Sequence, residues 1–149
     1  MLDLDKSWHL LHFLLTGDPL GGSPPLKDAI IGGTEIGPDL GSGPARVLTP
    51  EQVRAVADAL AGVREADLRS RYIPDALEAA KMYPGMWKPI APPVRGGLFR
   101  RGRPNGPEVT AHSKELAEFL DFAMENFRAL GPFYAAAARD GDAMLLLVG

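Results

Sequence analysis

The first strongly apolar stretch of the chain has the spacing of a helix. Over residues 5–16 the apolar side chains cover most of the circumference, which is typical of a helix packed on several sides rather than one lying at the surface. Asp3 or Asp5 can cap its N-terminus, and Gly17 suits the left-handed residue that ends a helix. We therefore predict a central first helix.

Short apolar runs with little periodicity follow. Residues 28–31 form a brief run ended by two glycines and predict a buried strand, whereas residues 37–44 have the composition of a loop. A short strand is expected at residues 46–48. A last apolar run at residues 143–148 predicts a further buried strand. The pattern therefore gives three short strands.

Local signals also mark the other helices. Thr49, Pro50 and Gln52 have the pattern of a capping box with proline in the first turn, and Gly62 can close the helix that they begin. Further helices are predicted at residues 65–72, at residues 74–82 and from about Ser113, the last one kinked or broken at Gly131 and Pro132. Helices and strands together predict one α+β domain over residues 1–149.

Composition excludes several classes of protein. The chain has 149 residues, no cysteine, and globular proportions of hydrophobic (46%) and charged (23%) residues. Without cysteine it has no disulfides, no thiolate metal ligands and no thiol catalysis. Its N-terminus lacks the basic flank of a signal peptide, and no apolar run is as long as a membrane span. We expect a cytoplasmic protein that does not enter membranes.

The charge is small overall but unevenly distributed. The net charge of −3 argues against a nucleic-acid partner. Residues 88–107 carry five basic side chains and no acid, so the remainder has a net charge of −8. This segment is also rich in proline and glycine and predicts a long exposed loop. It could bind an acidic partner, although such charge runs more often only improve solubility.

One polar seam runs along the first helix. Asp5, His9, His12 and Thr16 have the spacing i, i+4, i+7 and i+11, which places them on one face of an otherwise apolar helix. In one interpretation this face is a cleft wall where His9 or His12 donates a proton or anchors a ligand. In the other, the histidines bond to loop carbonyls and only satisfy the backbone.

The remaining motifs are weaker. His9 and His12 supply two nitrogens, fewer protein ligands than a zinc site needs, so we predict no metal and no cofactor. The glycines around Thr34 and Glu35 could bring backbone amides to a ligand, but Pro38 stands where a phosphate-binding loop has its lysine. Glycine turns explain this segment as well. No familiar catalytic signature is present, so no catalytic residue is assigned.

Four blocks of the sequence resemble the bacterial YfbM-like family, a domain of unknown function. They are residues 4–17 (LDKSWHLLHFLLTG), residues 29–37 (AIIGGTEIG), residues 48–53 (LTPEQV) and residues 83–87 (YPGMW). The resemblance implies a compact α+β domain with a small antiparallel sheet packed by several helices. It implies no activity and no catalytic residue.

Compared with the family that it resembles, this chain is expected to differ in two ways. Members of the family carry a further N-terminal segment, expected to add a strand, before the point where this chain starts. Residues 88–107 look like an inserted loop. With only three short strands we expect an uncovered strand edge, or an apolar face on the first helix at Trp8, Leu11 or Phe13, and hence a possible homodimer.

These observations favour a non-enzymatic binding module for a protein partner or a small ligand. Its candidate ligand-binding residues, expected to line a partly open cleft, are Asp5, His9, His12, Thr34 and Glu35. One alternative is a hydrolase or transferase that uses His9 or His12 with Glu35 as acid and base. Another is an immunity-type protein that neutralises a partner through its acidic body. An imidazole and a carboxylate meeting in a pocket would favour the enzyme.

Overall fold

The structure, a computed structural model, describes residues 1–39, 41, 43–86 and 107–148, with the side chains of residues 107–111 left out. A 3-10 turn at Asp5–Ser7 precedes the regular elements. In chain order these are α1 (Trp8–Thr16), α2 (Asp28–Ile31), β1 (Thr34–Asp39), β2 (Pro44–Leu48), α3 (Pro50–Ala61), α4 (Glu65–Ser70), α5 (Pro74–Ala79), α6 (Pro107–Asp140) and β3 (Met144–Leu146). Helices and a small antiparallel sheet form an α+β fold, as predicted.

The first helix is central, as its apolar circumference predicts. Leu10, Leu11 and Leu14 are fully buried, and α1 packs against α6, α2 and α4. The predicted capping of its N-terminus by Asp3 or Asp5 is wrong, because no described side chain caps α1 or the 3-10 turn before it, and Asp3 Oδ1 accepts only from the Asp5 amide at 2.8 Å. Gly17 ends the helix in the left-handed conformation with φ 79°.

The predicted strand at residues 28–31 is wrong, because Asp28–Ile31 is the short helix α2. The Lys27 amide donates to the Ser23 carbonyl, and the Ile31 amide donates to the Lys27 carbonyl. Successive turns therefore run into the helix from the proline-rich segment before it. A four-residue apolar run has too few positions to show a period, so its hydrophobicity predicted burial but not conformation.

A β-hairpin occupies the segment predicted as a loop at residues 37–44. β1 continues to Asp39 and pairs antiparallel with β2, with Thr34 opposite Val47 and Ile36 opposite Ala45. The Asp39 carboxylate accepts from the amides of Gly41 and Gly43 and thereby closes the turn. The strand predicted at residues 46–48 is confirmed and begins earlier, at Pro44.

α3 begins with the predicted capping box. The Gln52 amide donates to Thr49 Oγ1 at 3.3 Å, and the Thr49 amide donates to Gln52 Oε1 at 2.9 Å. The buried side chains Val53, Val56 and Leu60 pack α3 against α6, and Gly62 follows its last residue.

The last helix is longer than predicted. α6 starts at Pro107 rather than near Ser113, and it continues through Pro132 to Asp140 without a break. Leu130 and Tyr134 are buried on either side of the proline, so packing holds the helix together where one backbone hydrogen bond is lost. Trp87 and residues 88–106 of the predicted basic loop lie outside the described residues.

Strand β3 completes the sheet, whose order is β1-β2-β3 among the described residues. Met144 lies opposite Leu48, and both are buried against the helices. The predicted buried strand at residues 143–148 is therefore correct only at its start. Leu145 is 58% exposed and Leu147 is 63% exposed. β3 pairs with β2 alone, so it forms an edge of the described sheet.

Candidate functional site

The two histidines of the polar seam are buried and bonded to the backbone. His9 is 8% exposed and His12 is 0% exposed. His9 Nε2 donates to the Pro19 carbonyl at 2.8 Å, and its Nδ1 accepts from the Tyr83 amide at 3.1 Å. His12 Nε2 donates to the Gly21 carbonyl at 2.9 Å. A carbonyl can only accept, so both imidazoles carry their proton on Nε2.

Burial favours the neutral form of both rings. Loss of hydration lowers the pKa of His9 and of His12 below the ordinary 6.5, and the carbonyl bonds to Pro19 and Gly21 offset this only in part. Asp5 does not act as the partner that the helical spacing suggested. It is exposed, its Oδ1 accepts from the Lys6 amide, and no described hydrogen bond or ion pair joins it to His9.

The two histidines of the seam instead form hydrogen bonds to the loop that follows α1. The carbonyls of Pro19 and Gly21 are fixed by the histidines, and the amides of Leu20 and Gly21 donate to the Asp18 carboxylate. The open cleft that we predicted is therefore wrong for these two residues, since neither ring faces solvent. The interpretation in which the histidines satisfy loop carbonyls describes the geometry.

Stability is expected to fall on mild acidification because of these two histidines. The unfolded imidazoles bind protons with the ordinary pKa of 6.5, whereas the folded ones bind them only at their lowered pKa. As the pH drops below about 6.5, the unfolded state holds more protons and the free energy of unfolding decreases until the lowered pKa is passed. Melting temperatures measured between about pH 7.5 and pH 5 should show this fall.

Glutamine variants separate the histidines from the carboxylates. In His9→Gln and His12→Gln the amide Nε2 replaces the donor, and the double variant should lose the decrease between those pH values. The pKa of Asp18 is lowered from 3.8, so its titration lies below this range. An unchanged decrease in the double variant would contradict the assignment.

Thr34 and Glu35 lie on β1, and both are exposed. The Glu35 carboxylate forms an ion pair with Arg46 on β2, where the two residues face each other across the strands. No described hydrogen bond or ion pair joins the pair Thr34–Glu35 to His9 or His12. The predicted site residues are thus divided between the 3-10 turn, α1 and the sheet.

A stack of aromatic rings lies at the N-terminal end of α1. The Trp8 ring lies 4.7 Å from His9 and 6.4 Å from Tyr83, with interplanar angles of 14° and 21°. The Tyr83 amide also donates to His9, so this bond and the stack hold the turn at Tyr83 against α1, although the Tyr83 side chain is 44% exposed. The Trp8 Nε1 is buried without a partner among the described residues.

An apolar groove with a volume of about 540 Å³ opens next to this stack. Its walls come from four parts of the chain: residues 1–5 and Trp8 before and within α1, Ala29 and Ile30 of α2, Leu130, Phe133 and Tyr134 of α6, and residues 143–148 around β3. Of the five predicted site residues, Asp5 lies on its rim. The Tyr134 hydroxyl donates to the Ala29 carbonyl at 3.0 Å and fixes the floor.

The groove was not predicted from the sequence. The expected apolar face on α1 is largely covered, with Leu11 fully buried and Trp8 and Phe13 half-buried. The exposed apolar side chains lie instead on β3 and at Phe133, which is 37% exposed. The uncharged run at residues 143–148 was the available signal, but its hydrophobicity was interpreted as burial.

Other kinds of site were searched for in the part of the chain that the structure describes. It contains no group of three or more histidine, aspartate or glutamate side chains arranged to hold a metal ion. None of its helices has the length and apolar character needed to cross a membrane. The groove is therefore the candidate site in that part of the chain.

Comparison with known proteins gives a family without an activity. No curated protein and no solved structure matches the chain. A family model described as a domain of unknown function, DUF1877, matches residues 1–100, about two-thirds of the sequence. The matched region contains α1 to α5, both strands of the hairpin and the histidines of the seam. The chain belongs to the DUF1877 family.

Proposed function

We propose that this chain is a YfbM-like, non-enzymatic binding module and that its groove receives an extended segment of a protein. The observation that supports this is the position of the groove, which opens beside the edge of β3 and is lined mostly by apolar residues. Ligand sites commonly combine such an apolar concavity with a few polar groups at the rim.

The exposed side chains around the groove support a protein partner. Leu145, Leu147 and Phe133 are exposed close together, whereas a strand that faces only water normally carries polar side chains there. Contiguous exposed apolar surface in soluble domains commonly marks an interaction site. A protein segment would cover these side chains.

The two edges of the described sheet differ in a way that selects β3. On β1, Pro38 removes one amide, Glu35 and Asp39 carry charge, and the pairing is irregular between Ile36 and Asp39. These are the devices with which natural sheets prevent unwanted strand pairing. β3, although short, has no proline and no charged side chain, so it is the better of the two edges for an added strand.

The acid–base alternative has no support in the geometry. The histidine nitrogens that are bonded contact backbone groups, and Glu35 contacts Arg46. A hydrolase or transferase would need an imidazole and a carboxylate within hydrogen-bond reach of one substrate. The immunity-type function, with the acidic body as the binding surface, stays a prediction.

A labelled peptide can test the groove. The probe is a synthetic peptide with valine at alternate positions, threonine between them and lysine at each end, and its control has a central proline that removes one amide. Fluorescence anisotropy should show binding of the first peptide and not of the second. Leu147→Lys should weaken binding by roughly tenfold or more, since it places a charge in an apolar contact.

The matched control for this experiment is Ile73→Lys. Ile73 is 56% exposed, close to the 63% of Leu147, but it lies between α4 and α5 and does not line the groove. It should leave peptide affinity unchanged. Equal binding of both peptides, or equal losses in the two variants, would contradict the proposed function.

A further inference from the structure

We infer that the segment received by the groove is β3 of a second copy of this chain. Resting on the proposed function, the inference is that two β3 strands pair antiparallel across a two-fold axis. The three strands that the structure describes in each copy then join in one continuous sheet, and each copy supplies the strand that completes the groove of the other. The arrangement is isologous, so it closes as a dimer.

The alternation of side chains along β3 fits this pairing. Met144 is buried, Leu146 and Val148 are half-buried, and the residues between them, Leu145 and Leu147, are exposed. Residues of a strand alternate between the two faces of its sheet. In a continuous sheet, Leu146 and Val148 of the second copy would therefore point to the side on which the groove lies.

The opposite face of the sheet would also be covered better in the dimer. Leu145 lies opposite Val47, and Val47 lies opposite Thr34, so these three residues share the face away from the helices. Ile36 and Ala45 continue this face by the same alternation. It carries no charge at these five positions. Pairing two copies would place Leu145 and Leu147 beside their equivalents.

Charge does not oppose the chain's own strand as the occupant. The acidic side chains on the rim of the groove are Asp3 and Asp5, and an acidic segment would be repelled by them. Residues 143–148 contain no ionisable side chain, so the strand of a second copy enters without like-charge repulsion.

Sedimentation equilibrium of the full chain tests this pairing. The unmodified chain should show a concentration-dependent monomer–dimer equilibrium. Leu147→Lys should raise the dimer dissociation constant by roughly tenfold or more, because the two lysines would lie near each other across the axis. Ile73→Lys should not change it. Leu147 is exposed, so circular dichroism should show the same fold in both variants.

The absence of cysteine gives a second readout that does not depend on affinity. A spin label at Leu147→Cys should show a distance between the two copies below about 20 Å, since paired strands lie about 4.8 Å apart. A label at Ile73→Cys should show a longer distance. A dimer in which the labels at Ile73 lie closer together than the labels at Leu147 would overturn the inference. A dimer that Leu147→Lys does not weaken would also overturn it.

The outcomes separate this inference from the proposed function. If the chain is a monomer at every concentration but binds the valine-rich peptide, the groove remains a binding site and the second copy is excluded as its occupant. If it is a monomer and binds no peptide, both are overturned. If the peptide dissociates the dimer, and Leu147→Lys abolishes both interactions, both are supported.

Discussion

Replacing Gly33 by alanine is expected to destabilise the fold by about 2–5 kcal/mol. Gly33 has a φ of +87°, and a Cβ atom there would lie 2.5 Å from the Val47 carbonyl oxygen and 2.9 Å from its carbon. These are backbone atoms of β2, which is held by strand pairing on both sides. The side chain therefore meets a rigid obstacle in a backbone conformation that already disfavours it.

Gly37→Ala is the matched control for this effect. Gly37 has a φ of +73° and lies in β1, which Gly33 directly precedes, but nothing stands within 4 Å of its Cβ position. The loss should be about 1–2 kcal/mol, the cost of the left-handed conformation alone. Urea unfolding followed by circular dichroism gives both values. Equal losses would show that β2 moves aside at Gly33, contrary to the packing described.

Elements with local signals could be predicted from the sequence. α3 depends on Thr49 and Gln52, which are three residues apart and bond to each other, so the start of the helix is determined by its own sequence. α1 likewise ends at Gly17 because the left-handed residue follows directly in the chain. Such signals do not require knowledge of distant parts of the molecule.

Elements whose conformation depends on other segments were predicted wrongly. Asp28–Ile31 forms a helix because the turns before it continue, a feature that its own four residues do not contain. At residues 37–44, glycine and proline indicated a loop, but the Asp39 carboxylate closes a tight turn and allows pairing up to that residue. Pro132 remains inside a helix because its neighbours are buried. Tertiary packing decided the case of Pro132, whereas hydrogen bonds to nearby residues in the chain decided the other two.

The candidate site was predicted only in part, because it depends on contacts between segments that are distant in the sequence. Helical spacing placed His9 and His12 on one face correctly, but it could not show that the loop at residues 18–21 returns over that face. Asp5 lies at the groove, although not through a contact with His9. The groove itself joins Trp8, Tyr134 and Leu147, which are too far apart in the sequence for any periodic pattern to connect them.

Truncating Tyr134 to alanine is expected to destabilise the fold by about 3–5 kcal/mol, the cost of a large cavity in a packed core. The side chain is 1% exposed and connects α6 to α2 under the groove. Its burial also raises the pKa of its hydroxyl, which therefore stays a proton donor to the Ala29 carbonyl. Tyr134→Phe removes only that donor and should cost about 1–3 kcal/mol.

The neighbouring residue Phe133 distinguishes a stabilising residue from one on the binding surface. Phe133 is 37% exposed and lines the same groove, so Phe133→Ala should change the free energy of unfolding by less than about 1 kcal/mol. It should nevertheless weaken peptide binding and dimer formation, because it removes apolar surface that an occupant would cover. Tyr134→Phe should do the reverse, lowering stability while leaving affinity at permissive temperature nearly unchanged. Urea unfolding gives the stability of the two variants, and sedimentation gives their dimer affinity. A large stability loss in Phe133→Ala would show that the groove is part of the core rather than a surface open to a partner.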